Sequence, residues 1–408
     1  MAHKTLIGGT AYGIIGGKTT VDGTSYGIVN GKVRIDGTIY NIPFSNSGEK
    51  DVWGGTYTAE IKCITYTNGF WVVGGKYYDG ATSYARIAYT TDPNGTWTIK
   101  NLWSDSKNAS CVECITYANG YWIAGGTWYG SDGGYSYYWG RVAHGANLSD
   151  TWTKTNLQGG SQSNSGVYCI AYGNGYWVVG GTANGNVGNI FYTSSLSGKW
   201  TGKDLWKSDA VTNNNYVKCI TYTNGYWVVG GCYYDGNQNY PYVGYSTSLA
   251  DSWRFQSPWT PTSGSYPKNM VTDITYANGY WVVCGEHPYV GYNYARIAYT
   301  TSLGSSWTTK DIFNQGGLRG IAYANGYWIV CGQHLDNNDG QYCAFVAHST
   351  SLTGTWTIQD LWRGSKVNIL NDVAFADDFL MTGGLFYDNT NYKGRISYTN
   401  NGVTFATS

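Results

Sequence analysis

Short runs of alternating apolar and polar residues, each ending in a tight turn, recur along most of the chain. In the first clear copy the alternation covers residues 63–67, and Asn68-Gly69 then supplies a dipeptide that favours a two-residue type I′ hairpin turn. Aromatic and β-branched residues resume at residues 70–73, as expected of a second strand. The pattern predicts two antiparallel strands, named A and B below.

This unit occurs seven times, with the aromatic residue before the turn recurring about every 50 residues. The copies lie at residues 63–75, 114–126, 169–181, 219–231, 273–285, 320–332 and 372–384. A third apolar run, strand C, follows, as at residues 86–89, and a turn rich in Ser, Thr and Gly leads to strand D, as at residues 97–103. Four antiparallel strands repeated seven times predict an all-β fold, a seven-bladed β-propeller.

The two ends of the repeat region predict how the ring closes. The last copy stops short of a complete strand D, and the missing piece occurs before the first copy, where residues 50–53 match residues 203–206. We therefore predict that residues 48–408 form one propeller, closed where the segment near residues 50–53 meets the C-terminal blade. Residues 43–48 are expected to form the hinge to this domain.

Residues 1–47 have a different pattern. Two-residue turns containing glycine separate β-forming runs of four to six residues, which predicts a β-hairpin meander. So narrow a ribbon buries little apolar area and is expected to be marginal by itself. We expect this segment to serve attachment or oligomerisation, with a homotrimer as one form.

Composition limits the class of partner. The 408 residues include 25 basic and 25 acidic ones, so no net charge directs the chain to nucleic acid or to an anionic membrane surface. No apolar run is long enough to span a bilayer, and the N-terminus lacks the pattern of a signal peptide. The 40 Tyr, 19 Trp and 58 Gly residues suit aromatic-packed sheets with glycine turns.

The nine cysteines follow the repeat, and four of them share one position in strand A. We expect them to be small buried residues in the reduced form. Cys111 and Cys114 form a lone CxxC pair without a second pair or a His pair, and the histidines show no metal-ligand spacing. No metal or other cofactor is therefore expected.

The turns between strands C and D resemble a known motif. The sequence Thr-Thr-Ser-Leu-Gly-Ser-Ser-Trp at residues 300–307 is similar to the Asp-box, the Ser-x-Asp-x-Gly-x-Thr-Trp turn of sialidase-like propellers. Related turns recur across residues 90–405, mostly with Ser or Asn in place of the Asp, and Asp92 is the exception. The resemblance implies the propeller fold and not the activity.

The N-terminal repeats resemble those of phage and prophage tail-appendage proteins of Gram-positive bacteria. The similarity rests on residues 5–12 and their echoes before residue 47. It implies a virion-tail protein, made in the cytoplasm and extracellular after release, whose residues 1–47 contact other tail or baseplate proteins.

Loop lengths predict which end of the propeller binds a ligand. The A-to-B and C-to-D turns share one end of the ring and are short and uniform, whereas the B-to-C and D-to-A loops share the other end and differ in every blade. Tyr, Trp and small polar residues in these loops suit binding, including binding of sugars. The alternative is that these side chains only cap strand ends and pack on one another. The candidate ligand-binding residues are Tyr77, Tyr78, Asp79, Trp128, Tyr129, Tyr138, Trp139, Tyr233, Tyr234, Asp235, Tyr240, Tyr242, His287, Tyr289, Tyr292, Tyr294, His334, Tyr387 and Asp388.

An enzymatic function is the main alternative. A sialidase-like glycoside hydrolase requires an arginine cluster and suitably paired carboxyl groups. Arginine occupies one strand C position in four blades, as Arg86, Arg141, Arg296 and Arg395. Either these side chains converge on a ligand, or they recur because the blades descend from one ancestral repeat. The isolated acids are Asp273, Asp372, Glu113 and Glu286. We expect the first two to be inward carboxylates solvated in the channel, and we assign no catalytic residue.

We therefore predict a non-enzymatic receptor-binding protein of a phage or prophage tail appendage. Its loop-rich end is expected to recognise a host cell-surface glycan or cell-wall polymer. A glycan-cleaving propeller is the first alternative, and a protein-interaction scaffold is the second. Neither nucleic-acid binding nor membrane insertion is expected.

Overall fold

The structure is a computed structural model, and the residues that it describes form 35 strands and no helix. These described residues therefore include no helix that is apolar and long enough to cross a membrane. The described residues are 3–7, 10–15, 18–21, 24–27, 32–35, 38–41, 47–53, 57–132, 135–160, 165–183, 187–207, 215–260, 262–263, 269–289, 292–336, 339–376 and 379–400.

The N-terminal strands form a meander of short antiparallel hairpins, as the glycine turns predict. Four of them make one sheet in sequence order: β1 (His3–Ile7), β2 (Thr10–Ile15), β3 (Lys18–Val21) and β4 (Thr24–Gly27). The next two, β5 (Lys32–Ile35) and β6 (Thr38–Asn41), pair with each other.

Seven antiparallel sheets follow, each ordered A-B-C-D, so the prediction of a seven-bladed propeller with four-stranded blades is confirmed. The A strands are β8 (Ala59–Thr67), β12 (Cys111–Ala118), β16 (Gly166–Gly173), β20 (Tyr216–Thr223), β25 (Met270–Ala277), β29 (Gly316–Ala324) and β33 (Ile369–Ala376). The B strands are β9 (Phe70–Tyr78), β13 (Tyr121–Asp132), β17 (Tyr176–Ala183), β21 (Tyr226–Tyr234), β26 (Tyr280–Tyr289), β30 (Tyr327–Leu335) and β34 (Phe379–Tyr387).

The outer strands complete each blade. The C strands are β10 (Ser83–Thr90), β14 (Tyr135–Gly145), β18 (Val187–Thr193), β22 (Gln238–Ser246), β27 (Tyr292–Thr300), β31 (Tyr342–Ser349) and β35 (Tyr392–Thr399). The D strands are β11 (Thr98–Asp105), β15 (Thr153–Gly160), β19 (Thr201–Lys207), β23 (Arg254–Gln256), β28 (Thr308–Asn314), β32 (Thr357–Gly364) and, in blade seven, β7 (Ser47–Asp51). In blade four the short β24 (Thr262–Ser263) also pairs with strand C.

The A strands form the inner wall of the ring. Each contacts the A strands of both neighbouring blades, and the contact between β33 and β8 closes the circle. A buried apolar cluster fills each of the seven junctions between blades. Six of the B strands contribute a tryptophan that is at most 2% exposed, such as Trp71 and Trp122. The hydrophobic core therefore lies between the blades, and the A strands line the central axis.

The A-to-B turns are the type I′ hairpins that the Asn-Gly dipeptides predict. In the first blade Asn68 has φ 51° and Gly69 has φ 78°, and five further Asn-Gly pairs repeat these values closely. Positive φ at both central residues defines this turn type, and its twist matches that of the flanking strands.

A β-bulge lies at one position of strand A in all seven blades. In blade one, Ile61 pairs with Gly75 and Cys63 pairs with Gly74, so Lys62 is the extra residue. A Cβ on Gly75 would lie 2.0 Å from the carbonyl oxygen of Glu60. The corresponding distance is 1.8 to 2.0 Å in every blade, so the second residue of each Gly-Gly or Cys-Gly pair must be glycine.

Strand D fastens neighbouring blades at the outside of the ring. The lysine of its repeated Trp-Thr-x-Lys pattern donates a hydrogen bond to a carbonyl oxygen in the next blade's C-to-D turn. Three examples are Lys100 to Leu148 at 2.8 Å, Lys203 to Ala250 at 2.8 Å and Lys310 to Thr353 at 3.1 Å.

The strand β7 completes blade seven from the N-terminal side of the propeller. It pairs with β35, with Asp51 opposite Arg395 and Lys50 opposite Ile396. The Arg395 guanidinium donates to Asp51 at 2.6 Å and to Glu49 at 3.2 Å. Trp53 follows and is fully buried between blades seven and one. The ring is thus closed by hydrogen bonds between the two ends of the propeller.

We predict that removing residues 1–46 leaves the melting temperature of the propeller unchanged, whereas removing residues 1–51 lowers it by about 10 °C. The second deletion takes away β7 and leaves the backbone of β35 without its outer partner. Thermal unfolding followed by circular dichroism would measure both values. Equal melting temperatures for the two deletions would contradict this account of closure.

Candidate binding site in the axial cavity

A cavity of about 620 Å³ lies on the axis, at the end of the ring that carries the B-to-C and D-to-A loops. Its wall combines residues at the starts of A strands with residues at the ends of B strands, as the antiparallel order requires. A smaller cavity of about 240 Å³ continues below it along the A strands. The larger volume is typical of a site for a small organic ligand.

The seven bulge residues line both cavities. Because the bulge inserts one extra residue into strand A, each blade presents one additional side chain to the axis. Flanking positions repeat, but the seven bulge residues are of six different types, and only lysine occurs twice. The set is Lys62, Glu113, Tyr168, Lys218, Thr272, Arg319 and Asn371.

One side of the cavity is a closed polar cluster across the junction of blades seven and one. Lys62 donates to Glu60 at 2.7 Å, and Asn371 donates to the same Glu60 oxygen at 2.9 Å and to the carbonyl of Ile61 at 2.7 Å. Burial opposes both charges, but the Glu60 and Glu113 carboxylates outweigh it and raise the pKa of Lys62. Lys62 likewise helps to lower the pKa of Glu60 against the effect of burial. Both groups therefore stay charged at neutral pH.

A cation lies over aromatic rings on another part of the wall. The Lys218 ammonium is 3.7 Å from the ring centre of Tyr168 and 4.9 Å from that of Tyr216. No carboxylate lies within ion-pair distance of it among the described residues. Burial lowers the pKa of Lys218, and the more distant Glu113 carboxylate opposes that shift. Burial also raises the pKa of Tyr216 to about 12, so its phenol is neutral.

Arg319 and Thr272 complete the ring of bulge residues in blades five and six. Nη2 of Arg319 lies 2.6 Å from Oε1 of the buried Glu286, close enough for an ion pair although not in hydrogen-bond alignment. The Thr272 hydroxyl lies 3.1 Å from the carbonyl oxygen of Cys284 and 3.0 Å from that of Leu318, and its single hydrogen is donated to one of them. Glu286, one of the isolated acids in the sequence, thus neutralises a cavity cation.

Asp273 and Asp372 lie in the lower cavity, where the sequence predicts inward carboxylates. Each accepts a hydrogen bond from the next backbone N–H and one from the neighbouring blade, at Ile321 N (2.9 Å) and Ile64 N (2.7 Å) respectively. Burial raises the pKa of Asp273 to about 6 and that of Asp372 to about 7, and the charge of Asp273 adds to the second shift. Both carboxyl groups therefore join blades and are occupied by backbone donors.

Several of the loop residues predicted to bind ligand make hydrogen bonds within the B-to-C turns. Oδ1 of Asp79 accepts from the backbone of Ala81 and Thr82, and Oδ1 of Asp235 accepts from Asn237 and Gln238. The Asp388 carboxylate accepts in the same way from Thr390 and Asn391. Tyr78 and Tyr234 donate to the carbonyls of Gly80 and Gly236, again within the turn. These contacts fix the hairpin shape.

Others stack on the flank of their own blade. The Arg86 guanidinium lies 3.9 Å from the ring centre of Tyr77, and that of Arg141 lies 3.4 Å from the ring of Trp128. In blade four Tyr233 stacks on Tyr242 at 5.4 Å. His287 and His334 occupy the corresponding position of blades five and six and are buried. Packing accounts for the aromatic character of this position.

The remaining predicted residues lie along the B-to-C hairpins. Tyr129 and Tyr138 face each other at 4.9 Å, and Trp139 donates to the carbonyl of Gly130. Further ones are half-buried on the same hairpins: Tyr240, Tyr294 and Tyr387. The side chains of Tyr289 and Tyr292 lie outside the described residues. None of the described members of the predicted set lines the axial cavity.

The four repeated arginines do not converge on the axis. Each lies on strand C and contacts the residue opposite it on strand D: Arg86 with Asn101, Arg141 with Asn156, Arg296 with Asp311 and Arg395 with Asp51. The structure therefore resolves the two alternatives in favour of a repeated structural contact.

Aromatic side chains also occur at the opposite end of the ring. In six blades the residue after the A-to-B turn packs edge-on against a strand C ring, as Tyr121 does with His144 and Tyr176 with Tyr192. Tyr121 and Tyr176 are 43% and 39% exposed. Aromatic content alone therefore does not distinguish the two ends of the ring. The end with the A-to-B turns is distinguished by the repetition of the same aromatic pair from blade to blade.

Sequence reasoning missed most of the cavity residues, although a signal for them exists. In strand A, one position directly precedes the cysteine, or the Asp or Gly that replaces the cysteine in the last three blades. From blade one to blade seven this position holds Lys62, Glu113, Tyr168, Lys218, Thr272, Arg319 and Asn371. Its neighbours are aliphatic on one side and small or acidic on the other in every copy. One variable position inside a repeated strand is the pattern expected of a shared axial site.

The fold and the site define a class, a seven-bladed β-propeller with a polar cavity on its axis. No protein-family model and no curated protein matches the sequence. Similar solved structures include Trypanosoma rangeli sialidase in complex with sialic acid, with 12% identity over 88% of this chain and 59% of that chain and a TM-score of 0.45. The chain thus spans less than two thirds of that sialidase.

Two further structures are similar to a comparable degree. Phage phi92 endosialidase has 12% identity over 92% of this chain and 72% of its own, with a TM-score of 0.48. YCF48 bound to D1 peptide has 13% identity over 88% of this chain and 96% of its own, with a TM-score of 0.49. Likeness at this level concerns the course of the backbone and assigns no activity.

We predict that Asp273 and Asp372 make the propeller less stable as the pH rises from about 4 to about 7, because their pKa values are raised in the folded state. Burial of His287, which lowers its pKa to about 4, acts in the opposite direction. When the folded-state pKa of an acid lies above the unfolded one, the folded chain holds extra protons between the two values, and the resulting advantage is lost as the pH passes the folded-state pKa. Relative to a variant without these two carboxyl groups, we expect the melting temperature of the wild type to fall by about 5 °C over this range.

The matched test is the pH slope of the Asp273→Asn/Asp372→Asn double variant. Asparagine does not titrate at either position, but each replacement loses one hydrogen-bond acceptor. We therefore expect the melting temperature of the double variant to be lower than that of the wild type and to fall less as the pH rises. Asp251→Asn, on an exposed turn, is the control and should keep the wild-type slope. An unchanged slope in the double variant would assign the pH dependence to other groups.

Proposed function

We propose that the protein is a non-enzymatic carbohydrate-binding propeller whose ligand enters the axial cavity from the loop-rich end. The observation that carries the proposal is the variation of the seven bulge residues on a scaffold that otherwise repeats. Packing alone would be satisfied by one small residue, such as the cysteine that occupies the next position in four blades. Side chains of six different types around one cavity suit an asymmetric polar ligand.

The chemistry of the wall fits a sugar. Ammonium, guanidinium, carboxylate, amide and hydroxyl groups of the bulge residues can donate to and accept from sugar hydroxyls. The rings of Tyr168 and Tyr216, together with the apolar Met270, Ile369 and Leu385 of the same cavity wall, offer surface to the C–H faces. Tyr and Trp side chains on the B-to-C hairpins are available to further units of a longer glycan.

Binding is favoured over cleavage by the state of the carboxyl groups. In Asp273 and in Asp372, one carboxylate oxygen accepts from a backbone N–H of the neighbouring blade and the other accepts from the next residue of the same strand. The four strand C arginines are likewise engaged within their own blades. We therefore propose recognition without hydrolysis.

We further propose that this recognition serves a phage or prophage tail appendage, with a host cell-surface glycan or cell-wall polymer as the ligand. The sequence resemblance of residues 5–12 and their echoes supports this role. In it, residues 1–47 join the propeller to other tail or baseplate proteins, or to two further copies of the chain, and the protein is extracellular after release.

We predict that Lys218→Ala and Tyr168→Ala each weaken retention on a host-cell-wall or glycan array by at least about tenfold, the loss expected from about 1.4 kcal/mol of contact. Both remove groups from the cavity without touching the buried junction clusters. Surface plasmon resonance on the best-retained glycan would measure the change, and thermal unfolding would verify that each variant is folded.

Tyr121→Ala is the matched control, because Tyr121 is exposed at the opposite end of the ring. It should bind like the wild type. Loss of retention in this control, with normal retention in both cavity variants, would place the site at the wrong end. A reducing-end assay on the same samples tests the alternative, since release of sugar would identify a glycoside hydrolase.

A further inference from the structure

Blade six departs from the repeat at two facing positions on its flank. At the end of strand B, His334 takes the place that a larger aromatic ring fills in blades one, two, four and seven. On strand C, Cys343 lies directly opposite His334 in the register. The equivalent residues in the other blades are Tyr84, Trp139, Val187, Tyr240, Tyr294 and Lys393. Only this blade therefore combines a thiol with an imidazole at these two positions.

A carboxylate on strand D completes the group. One ligand atom each from His334, Cys343 and Asp360 lies within 4.8 Å of the other two. Nε2 of His334 is 2.8 Å from Oδ1 of Asp360. His334 is 4% exposed and Cys343 is fully buried, whereas the Asp360 side chain is 23% exposed and provides an entry route.

The imidazole has an unexplained polar atom. Nδ1 of His334 is buried and has no hydrogen-bond partner among the described residues. The ring is also held in place, because the Phe313 ring lies 4.1 Å away between centroids. Nε2 is the ring nitrogen that faces Asp360, so Nδ1 points away from the three-residue group. Because no partner fixes the tautomer through Nδ1, that nitrogen can carry the ring proton while Nε2 binds an ion.

Neighbouring charges orient the carboxylate. Arg363 contacts Oδ2 of Asp360 at 3.4 Å, which leaves Oδ1 directed towards His334. The same guanidinium pairs with Asp336 at 2.7 Å and with Asp339 at 2.9 Å. The positive charge of Arg363 is thus balanced by carboxylates that do not belong to the His334–Cys343–Asp360 group. Arg363 can therefore orient the Asp360 carboxylate, as hydrogen-bond partners of metal-ligating carboxylates commonly do.

We propose that His334, Cys343 and Asp360 bind a divalent zinc ion, with water as the fourth ligand. Imidazole nitrogen, thiolate and carboxylate oxygen are the ligand types that zinc takes in tetrahedral sites. Ligand distances of about 2.0 to 2.3 Å place tetrahedral ligand atoms about 3.3 to 3.7 Å apart. To bind the ion, His334 Nε2 and Asp360 Oδ1 would move apart from 2.8 Å, the atoms that now lie up to 4.8 Å apart would approach, and the thiol would release its proton.

The ion would join strands B, C and D of one blade and fasten its flank. Sequence spacing could not indicate it, because the three ligands come from three strands and none repeats with a metal-binding interval. The site lies away from the axial cavity, so it is independent of the carbohydrate site.

Cobalt titration of the full chain, stripped of metal by a chelator, tests the proposal. Co²⁺ substitutes for zinc, and a thiolate ligand gives a charge-transfer absorption in the near ultraviolet. We expect this band to saturate at about one equivalent and to be displaced by zinc. Absence of the band in the wild-type protein would overturn the proposal.

Variants assign the ligands. Cys343→Ser should abolish the band, and His334→Gln should weaken cobalt binding by at least about tenfold. His287→Gln is the matched control, because His287 is the equivalent buried histidine of blade five, and it should bind cobalt like the wild type. A band that survives Cys343→Ser would place the thiolate elsewhere and overturn the assignment. Thermal unfolding with and without zinc should show a metal-dependent rise in the wild type and in the control only.

Discussion

The close approach of two backbones is the constraint on which the rest of the structure depends. At the second residue of each Gly-Gly or Cys-Gly pair, strand B lies so near a strand A carbonyl that a Cβ would stand 1.8 to 2.0 Å from its oxygen. Glycine at this place permits a bulge in strand A, and the bulge adds one side chain per blade to the axis. Ring closure then brings seven such side chains around a single cavity. The repeated glycine, a feature of folding, thereby creates the site.

If the axial cavity binds ligand as proposed, this arrangement separates stability from recognition. Buried clusters at the junctions, strand D lysines and flank stacking contacts recur from blade to blade and hold the ring. The bulge position faces the cavity and lies outside the buried junction clusters, so it can carry Lys62, Tyr168 or Arg319 without cost to the core. Two bulge residues, Thr272 and Asn371, also lie within hydrogen-bond distance of a carbonyl of the next blade. The neighbouring Asp273 and Asp372 join blades through backbone donors.

Much of the fold follows from local sequence. The Asn-Gly dipeptides determine the A-to-B turns, and the near identity of residues 50–53 and 203–206 indicates the strand that completes blade seven. The site was harder to predict, because Tyr78 and Asp79 look like ligand-binding residues in sequence but satisfy hydrogen bonds of their own turn. Lys218 shows the reverse case. Lys218 lies in a strand whose alternating apolar and polar residues suggest a purely structural role. Only the register shift at the bulge shows that its side chain faces the axis.

The central claim is that the axial cavity is the place where ligand binds. A crystal structure of the protein soaked with the glycan that an array retains best would test it most directly. The account predicts sugar density inside the ring of bulge residues, in contact with Lys218 and Tyr168. Sugar bound at the A-to-B turns or on the flank of a blade, with the axial cavity holding only solvent, would contradict it.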